Sequence, residues 1–420
     1  MAKPVPGGQH TVQTGETLSG IAAQAYGDPA EWPRIFNANQ TAIRSGDQNQ
    51  VAVGEVLFIP VISELDNLKR SFFQSAVITD GVELKIEERV VPVQSAKIIR
   101  TMDTVSDAWT ATIAWEPGLD PRLDELTSKY KFPRASISLD GELKVSGILY
   151  DVEQNHDADG RSKNLWGWSF TIDLADSHPI KPPYEQKGQI TLLKRCQTMC
   201  EPHGIGVDVL PGLDLGGPFN DVKIEPTQSK FDHMLKLASQ RGVLLSSTPR
   251  GNLLLTQADL TSPAVGTLEE GVSLVEKWSV KFEGRKRYSL YRVTSQGANK
   301  WDKKVGIAKD NSISRIRART FKVDDALKGE MNDIAAWKRN KQAAKALKTS
   351  LPVEGWRGPD GKIWEENKRL TVKSLTLDEP DGFVYLIPKV EFTYDENGKN
   401  STLSLIPPIF YTKQPLAGGL

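Results

Sequence analysis

Residues 135–174, ASISLDGELKVSGILYDVEQNHDADGRSKNLWGWSFTIDL, decide the fold class. Ala135, Ile137 and Leu139 alternate with polar neighbours, Leu143 and Val145 do the same, and Asp140-Gly141 stands between the two runs. Alternation places every second side chain on one face of a strand, and Asp-Gly supplies the positive-φ pair of a tight hairpin. The pattern repeats at once: Ile148, Tyr150 and Val152 precede Asp157-Ala158-Asp159-Gly160, and Trp166, Trp168, Phe170, Ile172 and Leu174 follow it. Upstream, Asp80-Gly81 separates Ala76-Val77-Ile78 from Val82, Leu84 and Ile86. Three such turns predict an antiparallel barrel or sandwich of about 110 residues.

Towards the C-terminus, the proline-rich stretch His178 to Pro183 ends that unit. Two helices are predicted next. One carries Leu192, Leu193, Cys196, Met199 and Cys200 on one face; the other starts at a Ser229 cap, carries Phe231, Met234, Leu235 and Ala238, and stops at Arg241-Gly242. A hairpin follows from Val243 to Leu255 around Pro249-Arg250-Gly251. Strands are then expected from Val272, through Trp278, Val280 and Phe282, to Leu290 and Val293. After a helix from Ile334 to Leu351 they resume at Val372, Val384–Ile387, Val390–Phe392 and Leu403–Ile406.

Towards the N-terminus, the order is strand, helix, helix, strand. Leu18, Ile21, Ala22 and Ala25 share one helix face that Gly27 closes; Trp32, Ile35 and Phe36 form a second behind Pro29; Val56–Pro60 is the returning strand. The segments HTVQTGETLSGIAAQAYG, WPRIFNAN and VGEVLFIP, in this order, resemble a LysM module. The resemblance implies binding of N-acetylglucosamine polymers through two loops on one edge, here Gly15, Glu16, Thr17 and Leu18 with Asn39, Gln40, Thr41 and Ile43.

A chain of 420 residues, 39% apolar and 25% charged, predicts several water-facing domains. With no apolar stretch behind the basic start and no run of about 20 apolar residues, we expect neither a signal peptide nor a membrane span, and synthesis in a cytoplasm. Two cysteines suit a reducing compartment. Charge balances at 53 against 53, which selects neither nucleic acid nor an anionic membrane. Between Lys300 and Ser350, however, fourteen Lys and Arg face six Asp and Glu.

The body, residues 71–412, resembles the tail hub proteins of Mu-like contractile phages, which are related to the hub and spike proteins of type VI secretion. Three stretches in order carry the likeness: VSGILYDVEQNHDADGRSKNLWGWSFTIDLADSHP, KFDHMLKLASQRGVLLSSTPRGNLLLT, and GWRGPDGKIWEENKRLTVKS with the closing LIPPIFYT. The resemblance implies a multidomain, mainly β fold with α insertions: an N-terminal βααβ LysM module followed by two antiparallel β-barrel domains. The expected division is LysM module 1–62, linker 63–70, first barrel 71–182, helical and hairpin insertion 183–268, second barrel 269–412 with a basic helix at about 330–350, and a tail at 413–420. It also implies a homotrimer, assembled in the host cytoplasm, that joins the tail tube or its initiator to the spike among baseplate wedge proteins in the virion.

Cys196, Cys200 and His203 have C-x3-C-x2-H spacing, but a zinc site needs a fourth ligand and the cysteines sit on an apolar helix face. Asp157-x-Asp159-Gly160 opens like a calcium loop without the later acids, so a hairpin turn explains it better. None of the five histidines lies in a metalloprotease spacing, and nucleophile-elbow, P-loop and dinucleotide fingerprints are absent. We therefore expect no enzyme, no cofactor and no metal. The tryptophans read as core and interface packing. Arg315, Arg317 and Arg319, with Lys338, Arg339, Lys341, Lys345 and Lys348, fit either a solvated face opposite Ile334, Trp337, Ala344 and Leu347 or contact with an acidic subunit. DNA, which passes through the tail, is the weaker partner because no aromatics interleave. The function expected is a structural hub whose LysM module docks a neighbouring baseplate protein. The alternatives are a tail protein that anchors peptidoglycan and, further off, a wall hydrolase.

Overall fold

The computed structural model describes residues 3–39, 43, 51–60, 81–157, 160–180, 184–295, 304–323 and 331–413. The strand expected at Ala76–Ile78, the connection at 61–70, the middle of the Asp157–Gly160 turn, residues 181–183 and the tail from 414 lie outside them, as do Gln40 and Thr41. The chain forms two compact units, Met1–Ala76 and Val77–Leu420.

In the first unit β1 (Gln9–Thr11) pairs antiparallel with β2 (Val56–Phe58), His10 opposite Leu57. Between them, α1 (Leu18–Tyr26) begins where the Thr17 hydroxyl accepts from Gly20 N. It ends at Gly27, whose φ of 77° is strain-free without a Cβ. Pro29–Glu31 forms a separate 3₁₀ turn, so α2 is Trp32–Ala38 and starts after Pro29's turn instead of including it. Val12, Leu18, Ile21, Ile35, Ile43, Leu57 and Ile59 fill the core between helices and sheet. Tyr26 donates its hydroxyl to Pro60 O at 2.8 Å and ties the end of α1 to the returning strand.

The second unit opens with β3 (Val82–Ile86), β4 (Arg89–Val91), β5 (Ser95–Thr101), β6 (Ala108–Ala114), α3 (Pro121–Leu126), β7 (Arg134–Leu139), β8 (Glu142–Asp157) and β9 (Gly160–Ser169). Asp140 and Gly141, at φ 46° and 82°, make the β7–β8 turn with the backbone that the Asp-Gly signal demands. An insertion follows: α4 (Ile172–Asp176), β10 (Glu185–Ile190), α5 (Leu192–Cys200), β11 (Val207–Val209), β12 (Phe219–Lys223), α6 (Lys230–Arg241), β13 (Leu244–Ser247) and β14 (Leu253–Thr256). Its own core joins Leu192, Cys196 and Cys200 of α5 to Met234 and Ala238 of α6. The Ser229 cap and the left-handed Gly242 stop lie where the residues predict them.

The remaining elements are β15 (Thr267–Glu269), β16 (Ser279–Phe282), β17 (Leu290–Ser295), β18 (Lys304–Lys309), β19 (Ala318–Val323), α7 (Met331–Ala346), β20 (Leu347–Glu354), β21 (Arg369–Ser374), β22 (Glu379–Asp395) and β23 (Gly398–Ile406). Three sequence expectations change here. The basic helix ends at Ala346, because Leu347–Glu354 continues as a strand with alternating burial and contains Pro352, which a helix would not tolerate. Leu290 and Val293 belong to a separate three-stranded sheet, β18-β17-β19, that α7 covers. Val272 sits in a turn whose amide reaches back to Glu269 O at 3.1 Å.

The two β halves are not separate sheets. One 13-stranded sheet runs β16-β20-β23-β22-β5-β6-β9-β8-β7-β3-β4, with β15 and β21 branching from β22. The seam is β5 against β22, Ala96 opposite Tyr394 through Thr101 opposite Lys389. Most pairs are antiparallel, whereas β15–β21 is parallel. A single core continues across the seam, from Ile98, Trp109 and Leu165 to Leu351, Phe392 and Leu403. At Gly167 a Cβ would lie 2.2 Å from the Trp109 ring. The absence of a side chain there lets the indole fill the first half.

Candidate functional site

On the first unit, Leu18, Asn39 and Ile43 of the expected sugar-binding edge are turned to the interior, while Gly15 and Thr17 are exposed. Leu18 and Ile43 are core residues. Asn39 is buried: its Nδ2 donates to Ile35 O and Phe58 O, both at 2.7 Å, and its Oδ1 accepts from Phe58 N at 2.7 Å, which extends the edge of β2 like one more strand residue. Glu16 is held by His10 Nε2 and by Gln13 N, each at 2.8 Å, and lies below the usual carboxylate range although burial opposes this. Gly15 and Thr17 are exposed or partly so. Apolar side chains also face outward on this unit, among them Val5, Val53, Val56 and Phe58.

The basic segment divides into two parts. Arg315 lies in a bend and Arg317 just before β19, so only Arg319 is a strand residue, and the expected alternation along one strand is not present. Arg317 and Arg319 instead cover the Tyr288 ring at 5.4 and 5.2 Å, and Arg319 Nη1 donates to the Tyr288 hydroxyl at 2.6 Å. Arg339 is buried and donates to Asn340 Oδ1 and Lys309 O. The expectation of a subunit contact through it is therefore corrected: its guanidinium satisfies carbonyls within the chain. Lys341 is also used internally, at 2.7 Å from Asp103 Oδ2, which the Tyr411 hydroxyl shares at 2.7 Å. Lys338 is half-buried, and burial lowers its pKa, followed by the charges of Lys345 and Lys236.

A cavity of about 700 Å³ opens where the two halves of the large sheet meet the insertion. Arg100 of β5 is its anchor. Nη1 donates to Asp107 Oδ2 at 2.5 Å and to Lys144 O at 3.1 Å, and Nη2 donates to Glu366 Oε1 at 2.5 Å. Asp107 also accepts from Thr101 N at 2.9 Å and from the Ser247 hydroxyl of β13. Burial raises the Asp107 pKa to about 6, with Arg100 opposing and Glu366 adding to the rise. One guanidinium thus ties the first half, the insertion and the loop before β21 in the second half. Such a network fixes the geometry of the three parts.

The two thiols are buried, and burial pushes Cys200 up to about 12 and Cys196 higher still. Neither is a ready metal ligand, since the thiolate is the ligating form. His203 points elsewhere, to Lys230 Nζ at 2.7 Å and Ser177 Oγ at 3.1 Å. Among the described residues no group of three or more His, Cys, Asp and Glu is placed to hold a metal. No helix among them is long and apolar enough to cross a membrane.

Sequence reasoning missed one surface. Trp166 and Trp168 face the outside of the first half, opposite buried Leu165 and Gly167. From Trp168 a line of rings runs to Tyr150 (6.0 Å), Phe132 (5.6 Å) and Tyr130 (6.5 Å). Tyr130 and Phe132 have φ of 60° and 49°. This left-handed backbone costs roughly 1–2 kcal/mol per residue for bulky side chains. The only mark in the sequence is Lys129-Tyr130-Lys131-Phe132, which has no strand or helix partner to give it a period.

Known proteins share both the insertion and the fold. Residues 171–257, the insertion, match the family described as baseplate hub protein gp44-like, second domain. The baseplate hub protein gp44 of Escherichia phage Mu is 23% identical over 328 residues, covering 74% of this chain and 84% of its own length. The 43 kDa tail protein of prophage MuSo2 from Shewanella oneidensis superposes with a TM-score of 0.68 at 23% identity, covering 79% of this chain and 99% of that one. A tail protein from Neisseria meningitidis MC58 gives 0.67 at 18% identity, over 80% and 99% of the two chains. These two structures share the fold. The insertion thus matches the second domain of gp44-like baseplate hub proteins, and the body is similar to the Mu hub protein over most of its length.

Proposed function

We propose that the chain is the trimeric central hub of a contractile-tail baseplate, joining the tail tube to the spike. The observation that carries this reading is the continuous sheet, in which two β halves share one core across the β5–β22 seam while Arg100 fixes the insertion against both. Three copies of a subunit with two such halves present six β units, which supports a role in adapting a six-fold tube to a three-fold spike.

The LysM-like unit serves, on this reading, to dock a neighbouring baseplate protein. Support comes from its outward Val53, Val56 and Phe58, and from the internal use of Leu18, Asn39 and Ile43. Mass photometry of the full chain mixed with its spike protein tests the hub reading. A complex containing three copies is expected, and a chain that stays monomeric with the spike present contradicts it. Retention of the full chain on purified sacculi at low salt, lost on deletion of residues 1–62, would transfer the N-terminal role to peptidoglycan.

A further inference from the structure

We infer that the outer edge of β1, in the N-terminal unit, takes an extended segment of another tail protein as a third strand. This deepens the docking role given to that unit and rests on it. The ladder between β1 and β2 fixes which backbone groups face outward. At one end Gly7 N donates to Ile59 O at 2.7 Å and Ile59 N to Gly8 O at 2.8 Å; at the other Val12 N donates to Glu55 O at 2.8 Å and Gly54 N to Val12 O at 2.9 Å. His10 faces Leu57 midway between them. Opposed residues of an antiparallel pair alternate between bonded and unbonded. Gly8, His10 and Val12 therefore bond to β2, and the N–H and C=O of Gln9 and Thr11 point away from it.

The opposite edge shows what this geometry accepts. Phe58 stands across from Gln9 in the register and likewise turns its N–H and C=O away from the pair. There the Asn39 side-chain amide meets both, each at 2.7 Å. One edge of the sheet is thus closed by a group with the donor and acceptor of a peptide, while the other edge offers the same two groups at Gln9 and again at Thr11. On that edge Thr11 O accepts from the exposed Gln13 Nε2 at 3.1 Å. Among the described residues, Gln9 N, Gln9 O and Thr11 N make no hydrogen bond.

Proteins commonly blunt an open edge with a charge, a proline or a bulge. Gln9-His10-Thr11 has none of these: its register with β2 is unbroken, and Lys3, Pro4 and Pro6 all lie before it. The strand is also held in place, because buried His10 bonds through Nε2 to Glu16 at 2.8 Å and Val12 sits in the core. An edge that is already fixed loses little freedom on pairing. On the outer face of the sheet Phe58 and Val56, across from Gln9 and Thr11, are 44% and 47% exposed. An added strand turns alternate side chains to that same face. The partner that fits is an extended segment with apolar residues at alternate positions, which widen the Val56–Phe58 row, and with no proline where an amide must face β1. Main-chain bonds then supply affinity, and the alternate side chains supply the choice of partner.

Hydrogen–deuterium exchange resolved to single residues, on the full chain free and in purified tail particles, tests this. In the free chain His10 and Leu57 should exchange slowly, and Gln9 and Thr11 at the rate of an open edge. In particles Gln9 and Thr11 should slow by about tenfold or more. Thr11→Pro removes an outward N–H that the unit's own ladder does not use. Shown to be folded by its melting curve, this variant should lose the protection of Gln9 in particles, whereas Thr11→Val should keep it. Gln9 and Thr11 that exchange as fast in particles as in the free chain overturn the inference. So does slowing on purified sacculi but not in particles, which gives the edge to glycan, or slowing that rises with the concentration of the free chain, which gives it to a second copy. The docking reading is decided separately, by the yield of particles from a chain lacking residues 1–62. An unchanged yield contradicts that reading, and a reduced yield with open Gln9 and Thr11 amides retains it without the added strand.

Discussion

Arg195 of α5 donates from Nε to His233 Nε2 of α6 at 3.0 Å inside the core of the insertion. An imidazole that accepts there is neutral. Burial, followed by the charges of Arg195 and Lys236, lowers its pKa to about 3. In the unfolded chain it titrates near 6.5, so between these values the native state binds fewer protons. The pair's contribution is therefore present above about pH 6.5 and lost as pH falls, by about 4 kcal/mol at about pH 3. Denaturant unfolding followed from neutral pH into the acid range should show the insertion opening first, and His233→Gln, which keeps an acceptor, should flatten the slope. An insertion equally stable at both ends of that range speaks against a neutral His233.

The Arg100 clasp predicts the opposite pH trend. Asp107 titrates above its ordinary 3.8, at about 6. The native state thus holds the proton more tightly, and stability falls as pH rises through the interval between those values. Arg100→Met removes the cation beside the buried Asp107, which should cost about 3–5 kcal/mol near neutral pH. Adding Asp107→Asn and Glu366→Gln should recover part of that loss. The measurement is the urea midpoint on either side of the Asp107 titration, with the gap between wild type and Arg100→Met wider on the alkaline side.

Gly167→Ala sets a methyl against the Trp109 ring, which is fully buried and has nowhere to move. Overpacking of this kind should lower stability by about 2–3 kcal/mol, and Trp109→Phe in the same chain should regain some of it. Thermal melts of the two variants check this, and an unchanged melting point for Gly167→Ala would show that the ring is not fixed there.

In the N-terminal unit, Asn39→Ala leaves Phe58 N, Phe58 O and Ile35 O without their side-chain partner. The expected loss is about 2–3 kcal/mol, read as faster amide exchange in β2. Asn39→Asp should fail to rescue it, because Nδ2 donates two of the three bonds.

Residues with a local cause were legible in the sequence. Asp140-Gly141, the Ser229 cap and the Gly242 stop each fix the backbone within a few residues, and the structure shows them in place; the expected face of Ile148, Tyr150, Trp166 and Trp168 is instead the outer one, because Leu149, Leu165 and Gly167 are the buried residues. Features set by distant partners were not. Nothing near Arg100 announces Glu366, which lies 266 residues away, and nothing near Ala96 announces its strand partner Tyr394. Arg339 and Lys341 read as surface charges, because Asn340, Lys309 and Asp103 become their neighbours only after folding. The Tyr130–Phe132 surface has no period at all, since its rings are directed by two left-handed residues.

The most direct test of the hub assignment is the position and copy number of this chain in purified tail particles, by cryo-electron microscopy with quantitative mass spectrometry. Three copies at the junction of tube and spike, each contributing both halves of the 13-stranded sheet to one ring, are the expected result. Particles that lack the chain, or that carry it along the tube or sheath in multiples of six, would contradict the assignment.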